Sequence, residues 1–311
     1  MTEPPPPILI AGPTASGKSA LALALAERLD GWAINADALQ VYAEWRVLTA
    51  RPSAAEQARA PHRLYGHVSA REAYSVGRWL GEVEAALADC AAQGARAILV
   101  GGTGLYFKAL TEGLFEAPPV PAEIRADAEA RLAALGRDAF AGEIAARDPE
   151  TAARIDLANP ARLLRAWETL EATGEGLAAH WARTPPPLVD PAKAARFVVV
   201  PPRAALYARC DARFDAMLAE GALDEAQAVM ALDLPASAPA LKALGARDLI
   251  AHLRGESGLA EAATQAKQAT RNYAKRQSTW VRNQMIAWNR LSATESCENL
   301  ALATEILSRD A

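Results

Sequence analysis

The stretch Gly12-Pro13-Thr14-Ala15-Ser16-Gly17-Lys18-Ser19 satisfies the pattern G-x-x-x-x-G-K-[ST] in full, and it constrains the fold more than any other segment. It follows a short apolar run, Ile8-Leu9-Ile10-Ala11, which reads as a buried strand, and it opens residues 18–29 (KSALALALAERL), which read as a helix. That context has a physical meaning. Glycines let the backbone curl so that successive N–H groups converge, and the following helix adds the positive end of its dipole. Lys18 brings a mobile cation, and the Ser19 hydroxyl is placed to ligate a magnesium ion. Gly12 to Ser19 are therefore the candidate phosphate-binding residues, with Ser19 the candidate metal ligand and Mg2+ the implied cofactor.

The rest of the chain reads as the setting such a loop needs. Residues 32–36 read as a second strand ending at Asp37, 76–93 as a helix, and 96–100 as a further apolar strand ending at Gly101-Gly102. Strands alternating with helices predict a parallel sheet with right-handed crossovers. From 122 to about 183 the chain reads as helices only, bounded by Pro118, Pro119 and Pro121 before it and by Pro185-Pro186-Pro187 after it. Residues 197–200 then read as another buried strand, 204–231 and 241–284 as helical, and 285–291 as a last short strand. The expected architecture is an α/β fold, a P-loop NTPase-like parallel sheet core with a helical insertion domain. The divisions are 1–117 for the first part of the core, 118–190 for the insertion, and 191–311 for the second part with its C-terminal helices.

Most loops of this kind bind a nucleoside triphosphate, and their owners commonly hold magnesium with an acid at the end of a later strand. Here strand 97–100 runs into Gly101-Gly102-Thr103-Gly104 with no acid, which weakens that reading and leaves Asp37 as the carboxylate nearest the phosphates. Ligands of open α/β sheets sit at the carboxyl ends of strands, where Asp37 and Thr103 both fall. By residue type alone, Asp37 reads more readily as a cap or turn residue than as a catalytic one, Thr103 equally as a turn residue, and Arg213 as an ordinary solvated helix arginine.

Charge and cysteines narrow the remaining classes. A net charge of −4 rules out a broadly basic nucleic-acid binder, so any RNA contact must come from local patches. One is residues 264–290, with six Lys or Arg, no acid, and Tyr273, Trp280 and Trp288 interspersed. That composition suits phosphate contact and base stacking, and equally an amphipathic helix with a solvated basic face. Another is the pair Arg162 and Arg165, spaced to share one helix face. Three scattered cysteines, Cys90, Cys210 and Cys297, fit no disulfide framework, and no apolar run is long enough to span a membrane. A cytoplasmic monomer is the expectation.

Several stretches together resemble the bacterial tRNA dimethylallyltransferases, also called tRNA isopentenyltransferases or the IPP transferase family. They are GPTASGKS at 12–19, INADALQVY at 34–42, Thr49-Ala50-Arg51-Pro52, APHRL at 60–64 and LVGGTGLYFKALTEGL at 99–114. NPARLLRAWE at 159–168, RCDARFDAML at 209–218 and TRNYAKRQSTWVRN at 270–283 continue the order over nearly the whole chain. The resemblance implies that the loop grips dimethylallyl diphosphate and that the acceptor is the N6 amine of adenosine 37 in tRNA, beside the anticodon. It implies Asp37 as general base, with Thr103 and Arg213 binding the diphosphate and stabilising it as it leaves. It also implies RNA contacts at Asp37, Ala38, Leu39, Gln40, Thr103, Arg125, Ala161, Arg162, Leu163, Leu164 and Arg165. The sequence departs from the family at Ala38 (usually Ser), Leu48 (usually Gly), Ala161 (commonly Gln) and Ala246 (usually aromatic). The competing readings are a small-molecule kinase with the same loop, and a non-catalytic RNA- or nucleotide-binding module.

Overall fold

The computed structural model describes residues 4–115, 120–293 and 295–309. Among the described residues six strands form one sheet: β1 (Ile8–Ala11), β2 (Gly31–Asn35), β3 (His62–Arg63), β4 (Arg96–Gly101), β5 (Ala195–Val199) and β6 (Asn289–Leu291). Their order is β3-β2-β4-β1-β5-β6, and every pairing is parallel. The central strands are short, β1 is wholly apolar and β4 is apolar after Arg96, because both faces are covered, as a parallel sheet requires.

Helices α1 (Lys18–Leu29), α2 (Ala54–Arg59), α3 (Val76–Ala92) and α4 (Gly104–Glu112) precede the insertion. Helices α5 (Ala122–Leu135), α6 (Arg137–Arg147), α7 (Pro149–Ala152), α8 (Pro160–Thr173) and α9 (Leu177–Trp181) lie within it. Helices α10 (Arg203–Ala219), α11 (Ala222–Met230), α12 (Ala246–Leu253), α13 (Leu259–Gln284) and α14 (Ser296–Arg309) follow. The chain divides into two compact units, Met1–Thr111 with Leu188–Ala311, and Glu112–Pro187. The anticipated boundary at 117/118, including Pro118 and Pro119, lies outside the described residues.

In the sheet unit one core layer packs Leu9, Ile34, Leu99 and Val198 against Trp79, Phe107 and Trp288. The opposite layer packs Ile8, Ile10, Ile98 and Phe197 against Leu21, Leu25 and Ala303. The period-two alternation Ile8/Ile10 against Leu9 sends side chains to opposite faces. The helical unit has its own core around Phe140, Leu163 and Trp167.

Four sequence readings need correction. Residues 204–231 are two helices, broken at Gly221, whose φ of 100° only glycine adopts readily. Residues 241–284 are interrupted at 243–245 and 254–258. The last strand is Asn289–Leu291, because Met285 and Trp288 turn into the core ahead of it. Helices α2, α4 and α14 and the two-residue β3 are additional. Among the described residues no helix is long and apolar enough to cross a membrane.

Candidate active site

The phosphate loop leaves β1 and enters α1 through Gly17, which sits at φ 93°. The Ser16 N–H donates to the Pro13 carbonyl at 3.2 Å, and the Lys18 ammonium donates to the same carbonyl at 3.2 Å. The Ser16 hydroxyl is buried without a hydrogen-bond partner, an orphaned donor inside the loop. A cleft of about 320 Å³ opens over it, lined by Ser16, Lys18, Ser19, Arg209, Arg213 and Ser296. Sequence reasoning missed Ser296, because it heads α14, a helix absent from the sequence reading.

Asp37 lies just past β2 and is held by its neighbours. Its N–H donates to Asn35 Oδ1 at 2.9 Å, and its Oδ1 accepts the Leu39 N–H at 3.0 Å. Buried Asn35 donates to the carbonyls of Asp37 and Leu64 at 2.9 and 3.0 Å, which closes the turn. Thr103, just past β4, accepts the Ala38 N–H on its hydroxyl at 2.9 Å, and the Thr103 N–H donates to Ala36 at 3.3 Å. The two strand ends are thus stitched together at Ala36-Asp37-Ala38. Gln40 donates its side-chain amide to Thr49 and Ala50 carbonyls, at 2.9 and 2.8 Å.

Gln277 on α13 is a further residue that the motif reading did not single out. It is buried, accepts the Thr14 N–H at 2.8 Å, and donates to the Gly102 carbonyl at 2.9 Å. One amide therefore spans the phosphate loop and the turn that carries Thr103. A methyl group at Gly102 would stand 2.2 Å from that amide nitrogen, 3.2 Å from Asp37 Oδ2 and 3.3 Å from the Gly12 carbonyl.

The electrostatics fit a site prepared for an anion. Burial draws the Lys18 pKa down to about 8; the Asp37 charge opposes the shift and Arg213 adds to it. Loss of water also lowers the Arg213 pKa, with Asp37 holding it up. Burial first, and the Asp37 charge second, raise the Tyr65, Tyr106 and Tyr273 phenols, so these stay neutral donors around the carboxylate. Next to these groups is a narrow pocket lined by Thr14, Asp37 and Arg213 on its polar side. Leu39, Leu48, Phe214, Met217 and Leu244 supply its apolar side.

The tertiary structure therefore brings the loop, Asp37, Thr103 and Arg213 into one region. The proposed RNA residues of the helical unit form their own group. Arg125 and Arg165 approach opposite oxygens of Glu168 at 3.9 and 3.8 Å. Ala161 and Arg162 are exposed on the first turn of α8, Leu164 is half-buried, and Leu163 is fully buried in the helical core. Leu163 is thus committed to packing, and its N–H already donates to the Asn159 carbonyl at 3.2 Å, so the expected RNA contact at this position is not supported by its burial. In the basic stretch of α13, Lys267 and Arg271 pair with Asp215 and Asp211 of α10 at 2.6 and 2.5 Å. Trp280 and Trp288 pack on the core, Tyr273 lines the pocket, and Lys275, Arg276 and Arg282 remain exposed.

Fold and site together define a phosphate-loop α/β protein that pairs an anion cradle with a carboxylate and a short apolar pocket. The sequence profile of the IPP transferase family matches residues 40–284, and that of isopentenyl transferases matches residues 7–71. The chain belongs to the IPP transferase family. It is 58% identical over 285 residues to the tRNA dimethylallyltransferase of Cereibacter sphaeroides, covering 92% of this chain and 88% of that one. It is 57% identical to that of Dinoroseobacter shibae, covering 91% and 93%. The structure of the tRNA isopentenylpyrophosphate transferase from Bacillus halodurans superposes with a TM-score of 0.71 at 28% identity, over 98% of this chain and 96% of that one. A eukaryotic dimethylallyltransferase acting on tRNA shares the fold, with a TM-score of 0.82 at 24% identity over 98% and 80%.

Proposed function

We propose that this chain transfers a dimethylallyl group from dimethylallyl diphosphate to the N6 amine of adenosine 37 in tRNA, releasing diphosphate. One observation carries the reading: the phosphate loop borders a pocket that holds a carboxylate beside apolar walls. A nucleoside triphosphate needs room for a sugar and base beyond its phosphates, whereas a short prenyl diphosphate needs an apolar slot of this kind. The absence of an acid after β4 argues in the same direction against a kinase.

The residues have distinct tasks in this reading. An adenine amine is a poor nucleophile because its lone pair is delocalised into the ring. Asp37, with Oδ1 engaged by the Leu39 N–H, takes the amine proton as the carbon–nitrogen bond forms. The bond from carbon to the diphosphate oxygen breaks, and negative charge grows on the leaving group. Lys18, Arg213, the Thr103 hydroxyl and the loop N–H groups meet that charge in a fixed arrangement. The acceptor base must leave its stack to reach Asp37, as in other base-modifying enzymes.

Magnesium fits the donor set. Among the described residues no group of three or more His, Cys, Asp or Glu can hold a metal. Ser19, exposed in the phosphate cleft, is a protein oxygen that would suit a hard cation keeping several of its waters. When bound, such an ion supplies charge neutralisation to the leaving group. For the tRNA surface we assign Asp37 to Gln40, Thr103, Arg125, Ala161, Arg162, Leu164 and Arg165, with Leu163 packed in the helical core beneath them. Three free cysteines support a reducing, cytoplasmic setting, and the scatter of its exposed large apolar residues supports a monomer.

The test is direct. Unmodified tRNA, dimethylallyl diphosphate, magnesium and the protein are incubated together and the nucleosides are weighed by mass spectrometry. An adenosine that gains the prenyl mass is the expected result. Folded protein that leaves the tRNA unchanged while transferring phosphate from ATP to a small molecule would replace this reading with the kinase.

A further inference from the structure

The phosphate cleft has a second wall that the loop motif does not supply. Two helices begin at it, α1 at Lys18 and α14 at Ser296. The core holds them together, since Ala303 of α14 is buried in one cluster with Leu21 and Leu25 of α1. Asn299, 3% exposed one turn into α14, donates from Nδ2 to the Ala293 carbonyl at 3.0 Å and fixes the chain that enters the helix. Ser296 is thereby set over the loop, with its Oγ 3.6 Å from the point where a methyl group on Gly17 would lie. The first N–H groups of a helix have no acceptor within it and carry the positive end of its dipole, so an anion in this cleft meets two such ends. A separate observation points to an anion there. The Ser16 hydroxyl lines the same cleft, its residue is 1% exposed, and it has no hydrogen-bond partner. An acceptor bound in the cleft relieves the cost of leaving that donor unpaired. Glu295 and Glu298, the acids at the start of α14, are exposed and do not line the cleft.

The neighbouring pocket decides which phosphate belongs in this cleft. Ala15 and Arg213 line both the cleft and the pocket that holds Asp37 and the apolar walls, whereas Ser296 lines the cleft alone. A prenyl diphosphate with its hydrocarbon in the pocket and its reacting carbon toward Asp37 therefore sets its first phosphate beside Arg213. Its terminal phosphate then falls in the cleft, between the loop and the head of α14. We propose that Ser296 binds the terminal phosphate of the donor and so selects a diphosphate over a monophosphate. This rests on the assignment of the pocket to a prenyl diphosphate made above. The Ser296 hydroxyl donates to a terminal-phosphate oxygen, and Asn299 is a positioning residue that acts through the backbone leading into the helix. The same contact holds the released diphosphate until it departs.

The experiment measures Kd by calorimetry for inorganic diphosphate and for dimethylallyl monophosphate, with magnesium present, and the donor KM with one tRNA. Ser296→Ala should weaken inorganic diphosphate and raise the donor KM by about 10-fold, the lower end for a hydrogen bond to a charged group, because Ser296 is exposed. Dimethylallyl monophosphate, whose one phosphate stays beside Arg213, should bind within about twofold of its native affinity. Ser296→Thr keeps the hydroxyl and should bind diphosphate as the native protein does. Ser296→Asp sets like charge against the phosphate and should bind it more weakly than Ser296→Ala. Two results would overturn the proposal: a folded Ser296→Ala with an unchanged Kd for diphosphate, or an equal loss for diphosphate and monophosphate, which would make the residue a support of the whole cleft. Native protein that leaves tRNA unmodified with dimethylallyl diphosphate would instead remove the prenyltransferase reading on which the proposal stands.

Discussion

In the proposed reaction Asp37 is the base, and its own turn sets how its carboxylate is presented. One oxygen is engaged by its own turn through the Leu39 N–H, and Asn35 holds the backbone on either side. Asn at position 37 can still accept that N–H while losing the capacity to take a proton. Asp37→Asn should therefore lower turnover by about 10²- to 10⁴-fold, with diphosphate affinity by calorimetry little changed; a parallel loss of affinity would assign Asp37 to donor binding instead. Lys18 gives a second expectation at this scale. Its pKa is drawn to about 8, so the free protein carries the ammonium below that pH and loses it above. A diphosphate prefers the charged form, so the apparent donor KM should rise as pH passes upward through about 8, while the tRNA KM does not follow the same curve. In Lys18→Met the donor KM should be high and flat over that range.

Among the elements, α13 does more than cover the sheet. Through Gln277 it fixes the distance between the phosphate loop and the turn after β4, using both ends of one buried amide. Removing it leaves the Thr14 N–H and the Gly102 carbonyl without those partners, at about 1–3 kcal/mol by the usual penalty for unmade buried hydrogen bonds. If the strain falls on the transition state, Gln277→Ala should lose roughly 5- to 150-fold in kcat/KM for the donor. Gln277→Glu should not rescue it, because its carboxylate still accepts from Thr14 but repels the Gly102 carbonyl. Full activity in either variant would show that the two loops hold their spacing without the strut. Gly102→Ala probes the same joint from the other side, since its methyl group meets the strut at 2.2 Å.

For the whole molecule, the helical unit carries Arg125, Arg162 and Arg165 of the proposed RNA surface, while the proposed donor chemistry and the RNA residues around Asp37 and Thr103 belong to the sheet unit. The ion pairs of Arg125 and Arg165 with buried Glu168 are long, and loss of Arg165 still leaves Arg125 beside that carboxylate. Replacing Arg162 and Arg165 by Ala should leave the thermal midpoint nearly unchanged while raising the tRNA KM and sparing the donor KM. It should also flatten the dependence of log Kd on log salt by about 1–2, as expected for two lost phosphate contacts. Equal effects on both substrates would take these arginines off the RNA surface.

What the sequence by itself determined is what lies close together along the chain. The phosphate loop spans eight consecutive residues, and its conformation follows from its glycines and from the strand and helix that flank it. The apolar runs of β1, β2, β4 and β5 were legible because a strand covered on both faces has no polar alternation to obscure it. Elements without such a pattern were not legible. Helix α2 buries no side chain, β3 has two residues, and α4 starts on a glycine that reads as a break. Tertiary structure alone decided the pocket: Leu39 and Leu48, Phe214 and Met217, and Leu244 and Tyr273 come from distant stretches of the chain and meet only in the folded protein. It decided Arg213 as well, which local pattern treats as a solvated helix arginine and which packing turns toward Lys18 and Asp37. The reason is one of range: periodicity and turn chemistry act over a few residues, whereas a strut such as Gln277 exists only where folding brings distant backbone groups to one side chain.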